Sequence, residues 1–200
     1  LAGGWPLRNF LIGTIAAVPA CLSILVMKPY QRQRIIGFFE TWADFEAAPY
    51  QLQQSLVSLG SGGLLGVGLG RGWQKLSFLP EANTDFVFAV IGEELGLLGT
   101  FSLLALWCGV YLSGLRMLSR LDPRGFSFVA GFVLLTQVVG QALLNVAVVT
   151  AMVPPKGISH PLISAGGSNL IVSLLSLGIV VSLSRDLMVA DDQLQASNIE

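Results

Sequence analysis

The sequence predicts an all-α integral membrane protein. Of its 200 residues, 53% are hydrophobic and only 12% are charged, against roughly 25% charged in an ordinary soluble domain. The mean hydropathy is +0.71. Four apolar windows approach the ~20 residues that a helix needs to cross a bilayer.

The first window runs from about residue 9 to 27, with Pro19 near its centre. Proline is tolerated in a membrane helix where neighbours re-satisfy the backbone, so a kink is expected there. The second window covers about 97–115, the third 126–152 and the fourth 170–183. Basic residues in short loops set the orientation. Arg116, Arg120 and Arg124, against Asp122, lie between the second and third windows, and Arg8 and Arg185 agree with them. That side is expected to be cytoplasmic. Residues 28–96 and 153–169 then form two outer loops. The polar tail, 188–200, is expected to be disordered in the cytoplasm. Lys28, Arg32, Arg34, Arg71 and Lys75 lie in the long outer loop, where charge weighs less.

Composition also excludes some classes. A net charge of −1 gives no footing for nucleic acid as a partner. Cys21 and Cys108 both fall in apolar runs and read as small core hydrophobes. A single histidine argues against a structural zinc site. The chain starts at Leu1, close to an apolar run, and is expected to be a piece of something longer.

The long outer loop has elements of its own. "QRQRIIGFFETW" (Gln31 to Trp42) mixes basic and aromatic residues as an interfacial helix does. In "YQLQQSLVSL", Leu52, Leu56 and Leu59 share one helical face. The run Gly60 to Gly72 lacks both the P-loop and the dinucleotide fingerprints. It is either a tight re-entrant turn against the membrane helices or a set of backbone amides facing an anion. "EANTDFVFAVIGEELG" reads as a capped helix starting near Thr84.

Candidate chemistry centres on Asp85. It is either a helix cap or a carboxylate at the membrane–water boundary, where ionisable groups are costly and therefore functional candidates. Glu93 would sit about 12 Å further along the same helix, beyond the roughly 5–9.5 Å of a paired-carboxylate hydrolase. A lone general base remains, and Glu93 and Glu94 read as structural. Gln137, Gln141 and Asn145 make a polar stripe on the third helix, either for interhelical hydrogen bonds or as a cavity wall. The second outer loop carries Lys156 and His160. Lys156 either faces a vestibule shared with Asp85 or snorkels to headgroups.

Two strings carry a resemblance. "YQLQQSLVSLGSGGLLGVGLGRGWQKLSFLPEANTDFVFAVIGEELGLLG" and "QALLNVAVVTAMVPPKGISHPLISAGGSNL" closely resemble the two signatures of the SEDS family, the FtsW/RodA-type proteins, in the right order. The first looks more like the division-type branch. The resemblance implies about four helices of a ten-helix bundle. It implies an inverting glycosyltransferase that polymerises lipid II with loss of undecaprenyl pyrophosphate. Asp85, in Thr84-Asp85-Phe86, becomes the implied base. Lys75, Arg71, Thr84, Lys156, Ser164 and Ser168 become implied substrate contacts, and Glu81, Glu93, Glu94, Gly166 and Gly167 implied structural positions. A class B penicillin-binding transpeptidase and other division-complex membrane proteins are the implied partners, at the septum of the bacterial inner membrane, with the catalytic face outside. No metal ligands are assigned, and a magnesium or manganese ion is left open as an aid to the leaving group. Asn83, Leu162 and Ala165 depart from the family pattern, which has histidine, phenylalanine and tyrosine there, and His160 precedes Pro161. A lipid II flippase and a non-catalytic scaffold for the transpeptidase are the competing functions, and neither needs Asp85 as a base.

Overall fold

The structure is a computed structural model that describes residues 7–27, 29–73 and 80–197. Among these residues it is entirely helical, without strands. The elements are α1 (Leu7–Met27), α2 (Pro29–Ala43), a 3-10 turn (Phe45–Ala47), α3 (Tyr50–Gly62), α4 (Val87–Leu118), α5 (Phe126–Val149) and α6 (Gly167–Ser197).

Among the described residues, α4, α5 and the Gly167–Arg185 part of α6 are long and apolar enough to cross a membrane. They alternate in direction. Residues 80–86 and 150–166 therefore gather at one end, and the short basic loop 119–125 lies at the other. α1, the first expected span, is a 21-residue helix with Pro19 inside it. Its Leu11, Ile12, Ile15 and Val18 are exposed, as are Leu98, Phe101, Val133 and Val172 on later helices.

The core of the three spans is Trp107, Leu118, Leu135, Val138, Val139, Ala142 and Val180. Glycine lets α4 and α5 approach. A β-carbon on Gly114 would strike the Leu135 side chain, and one on Gly131 would strike Leu118. Small residues at helix crossings do this work in membranes, where packing rather than water expulsion drives association.

Three boundaries differ from the sequence reading. The helix expected from about 97 begins at Val87, but it is broken at Gly96 (φ 66°, ψ −161°). The stretch 97–118 is then about 33 Å long at 1.5 Å per residue, a match to the hydrocarbon core. The third helix ends at Val149, short of 152, because Ala151 takes a positive φ of 57°. The tail expected to be disordered continues α6 through Ser197; it holds Leu, Met, Ala and Gln, with no glycine or proline to stop the helix.

The glycine run fills the break in α4. Ahead of the break, the carbonyls of Glu93 and Glu94 accept from the amides of Val67 (3.0 Å) and Gly68 (3.0 Å). The amides of Leu97 and Leu98 donate to the carbonyls of Gly63 (2.9 Å) and Leu64 (3.2 Å). Groups that the interruption would orphan are thus paired across two segments. Gly66 (φ 78°) and Gly96 touch so closely that a β-carbon on either would collide with the other segment's backbone. This is the packed-turn form of the glycine run.

Candidate active site

Residues 81–86 form a tight corner ahead of α4. Glu81 has a positive φ of 55°. Its carbonyl accepts from the amides of Thr84 (3.1 Å), Asp85 (3.0 Å) and Phe86 (3.2 Å). Phe86, Ala82, Phe88, Ala89 and Val149 pack beneath as an apolar floor.

The helix expected to be capped near Thr84 starts at Val87, after Phe86, and no side chain caps it. Thr84 instead donates its hydroxyl to the Glu81 carboxylate at 2.8 Å. The Asp85 carboxylate lies against Gly157 of the second loop, where a β-carbon would come within 2.8 Å of Oδ2. Asp85 is therefore not on the helix, and spacing along a helix to Glu93 does not apply. Burial, and then repulsion from Glu81, raise the Asp85 pKa above the usual carboxylate value. Each factor disfavours the ionised form, so the carboxylate holds a proton more tightly than a free one.

The second loop is laced to this corner. Ser164 donates its hydroxyl to the Thr84 carbonyl, and the Ala165 amide donates to Asn83 at 2.9 Å. Ser164 also accepts from the His160 amide at 2.7 Å. From α5, Gln141 donates to the Ser159 carbonyl (2.9 Å) and to Asn169 (3.0 Å). Asn145 donates to the carbonyls of Asp85 and Ile158, both at 2.6 Å. Two members of the polar stripe thus hold loop backbone, and Gln137 is exposed.

His160 is fully buried under this loop. Its Nε2 accepts from the Trp107 indole at 3.3 Å, and Phe88 meets it edge-on. Burial pushes its pKa down to about 4. It is a neutral packing group, not an acid or base for neutral pH.

The other sequence candidates fall into three groups. Lys156 is exposed beside Gly157, on the Asp85 side. Arg71 leaves the glycine run exposed, its stem against Gly68, and Ser168 is exposed in the first turn of α6. Lys75 lies outside the described residues. Gly166 and Gly167 make the entry to α6, where the Gly166 carbonyl accepts from Leu170. Glu93 and Glu94 are buried and brace the glycine run. Glu93 accepts from the Trp73 amide (2.8 Å) and the Ser58 hydroxyl (3.4 Å), and Glu94 packs on Gly72. Among the described residues, no three His, Cys, Asp or Glu side chains converge as metal ligands would.

Sequence reading missed Ser55, Ser58 and Gly157. Ser55 is fully buried and donates to the Val149 carbonyl at 2.8 Å. Its place three residues after Leu52 put it on the inward face. Nothing in the spacing marks Gly157.

The fold and this corner define a multi-pass helical membrane protein with a carboxylate poised at one end of its bundle. The FtsW/RodA/SpoVE family model, described as cell cycle protein, matches residues 1–188. The chain belongs to that family, and the SEDS resemblance stands. It is 43% identical over 172 residues to a probable peptidoglycan glycosyltransferase FtsW of Marinobacter nauticus, covering 85% of this chain and 43% of the relative. It is 41% identical over 178 residues to a probable peptidoglycan glycosyltransferase FtsW of Geobacter metallireducens, covering 88% and 47%. A solved chain from a peptidoglycan synthase complex that coordinates polymerization and crosslinking matches with a TM-score of 0.65 and 26% identity, over 92% of this chain and 50% of that one. The chain spans about half the length of the relatives it matches.

Proposed function

We infer that the chain carries the base-bearing half of a division-type peptidoglycan glycosyltransferase. The observation behind this is Asp85: a carboxylate freed from helix capping, half-buried at one end of the bundle, with raised proton affinity. In the reaction the 4-hydroxyl of the acceptor sugar of lipid II attacks the anomeric carbon of the lipid-linked donor strand. The new C–O bond forms as the bond to the pyrophosphate breaks, and the hydroxyl proton passes to Asp85. A carboxylate with raised proton affinity is the better base for that transfer. The departing undecaprenyl pyrophosphate is already anionic and needs charge stabilisation more than a proton. Lys156, Arg71 and Lys75 are the cations proposed for it, with the exposed Ser168 as a hydroxyl; the hydroxyls of Thr84 and Ser164 donate to Glu81 and to the Thr84 carbonyl and hold the corner instead.

A magnesium or manganese ion arriving with the diphosphate is the cofactor this reading allows; among the described residues no cluster of three His, Cys, Asp or Glu side chains holds one by itself. Such an ion would neutralise charge on the leaving group.

The corner is read as lying on the outer face because the opposite loop carries Arg116, Arg120 and Arg124. A septal location and a class B transpeptidase partner belong to the same reading; the FtsW-named relatives and the solved synthase complex of polymerization and crosslinking support it.

The test uses the full-length protein with its transpeptidase and labelled lipid II. Wild type should make glycan ladders and Asp85→Asn none. Ladders from both would remove Asp85 from the chemistry. Ladders from neither would favour a flippase or a scaffold.

A further inference from the structure

The geometry points to Asn145 as a positioning residue for Asp85: it ties the Asp85 backbone and the Ile158 backbone to α5, and so seats the carboxylate against Gly157. The inference rests on Asp85 acting as the base.

Asn145 is fully buried, one turn before the end of α5. Its amide nitrogen has two hydrogens, and both are used at 2.6 Å, on the carbonyls of Asp85 and Ile158. Those carbonyls belong to segments far apart in the chain, and one planar amide holds them side by side. Gly157 precedes Ile158, so the same amide fixes the distance between Gly157 and the Asp85 side chain. The other ties between loop and corner, from Ser164 and Ala165, reach Thr84 and Asn83. Among the described residues, only Asn145 bonds both to Asp85 and to the loop residue next to Gly157.

The orientation of the amide is forced. Turning it over would set an oxygen against two carbonyl oxygens. In the orientation present, Oδ1 is buried without a hydrogen-bond partner among the described residues. A buried unpaired acceptor is costly, and here the two donated bonds oppose that cost.

Cutting the tie should let the loop lift and water reach the carboxylate. Water favours the ionised form, so the proton affinity of Asp85 should fall. The charged or titratable groups around it are Glu81 on its own corner and, on the loop, exposed Lys156 and buried, neutral His160. α5 presents the uncharged Asn145 and Gln141, the loop adds Ser164, and the start of α6 presents Ser168 and Asn169.

The test is the pH profile of lipid II polymerisation by the full-length protein with its partner, for wild type, Asn145→Ala and Gln141→Ala. Gln141 ties the same loop without touching Asp85. Asn145→Ala should lose at least roughly tenfold in kcat with little change in KM, and its acid limb should move down by roughly one pH unit. Gln141→Ala should leave the limb in place. If Asn145→Ala does not fold, Asn145→Ser carries the test: its hydroxyl cannot span both carbonyls, and the limb should move the same way. A limb that stays put in the Asn145 variants, or moves equally in Gln141→Ala, overturns the inference while an inactive Asp85→Asn keeps the base reading. An active Asp85→Asn overturns both.

Discussion

The carboxylate of Asp85 rests on Gly157, so close that a β-carbon at residue 157 would stand 2.8 Å from Oδ2 and 3.7 Å from the carboxyl carbon. Gly157 itself is exposed, and no helix depends on it. Gly157→Ala should therefore displace the carboxylate while sparing the fold. The expected outcome is a loss of roughly tenfold or more in polymerisation, with a thermal midpoint in detergent close to wild type. Equal activity would mean that the carboxylate moves freely without cost.

Glu81 raises the proton affinity of Asp85 by repulsion. The ionised form is the active one, so the rate should fall as pH drops through a value higher than that of a free aspartate. Glu81→Gln removes the repulsion and should carry the acid limb to lower pH. The Thr84 contact survives through the amide oxygen, so the corner should hold. The pH dependence of kcat/KM checks the shift.

The pairing of the glycine run with the broken helix should show in stability. Gly66→Ala and Gly96→Ala each place a β-carbon into opposing backbone at a positive φ. Each should cost about 2 kcal/mol or more. Because they distort one joint, the double variant should cost less than the sum of the two. Thermal unfolding in detergent measures both.

His160 makes stability depend on pH. Its folded pKa, about 4, lies below the ordinary 6.5. Above pH 6.5 histidine is neutral in both states and costs nothing. As pH falls below 6.5 the unfolded chain takes the proton and the folded one does not, so stability declines until about pH 4. At about 1.4 kcal/mol per pH unit the loss approaches 3 kcal/mol. His160→Leu should flatten the stability curve over that window, and Trp107→Phe, which leaves Nε2 without its donor, should destabilise at every pH by about 1 kcal/mol.

Much of this protein was legible in its residues. Hydrophobic run lengths marked the three helices that are long and apolar enough to cross a membrane among the described residues, because a bilayer demands a fixed length of apolar helix whatever surrounds it. The helical face of Leu52, Leu56 and Leu59 was legible for the same local reason, and Leu52 is indeed fully buried. The two signature strings pointed to the family, and Asp85 stood out as an ionisable group at the edge of an apolar run.

What the residues did not reveal depends on partners distant in the chain. Thr84 and Asp85 both had the chemistry of a cap. Only the turn wound on the Glu81 carbonyl took them off the helix and left Asp85 facing Gly157. The break at Gly96 is invisible locally, because the groups that satisfy it come from residues 63–68. Asn145 looked like one amide in a stripe until the fold brought Asp85 and Ile158 to its two hydrogens. Periodicity records which face a residue takes on its own helix; a hydrogen bond between residues 85 and 145 exists only once the chain has closed.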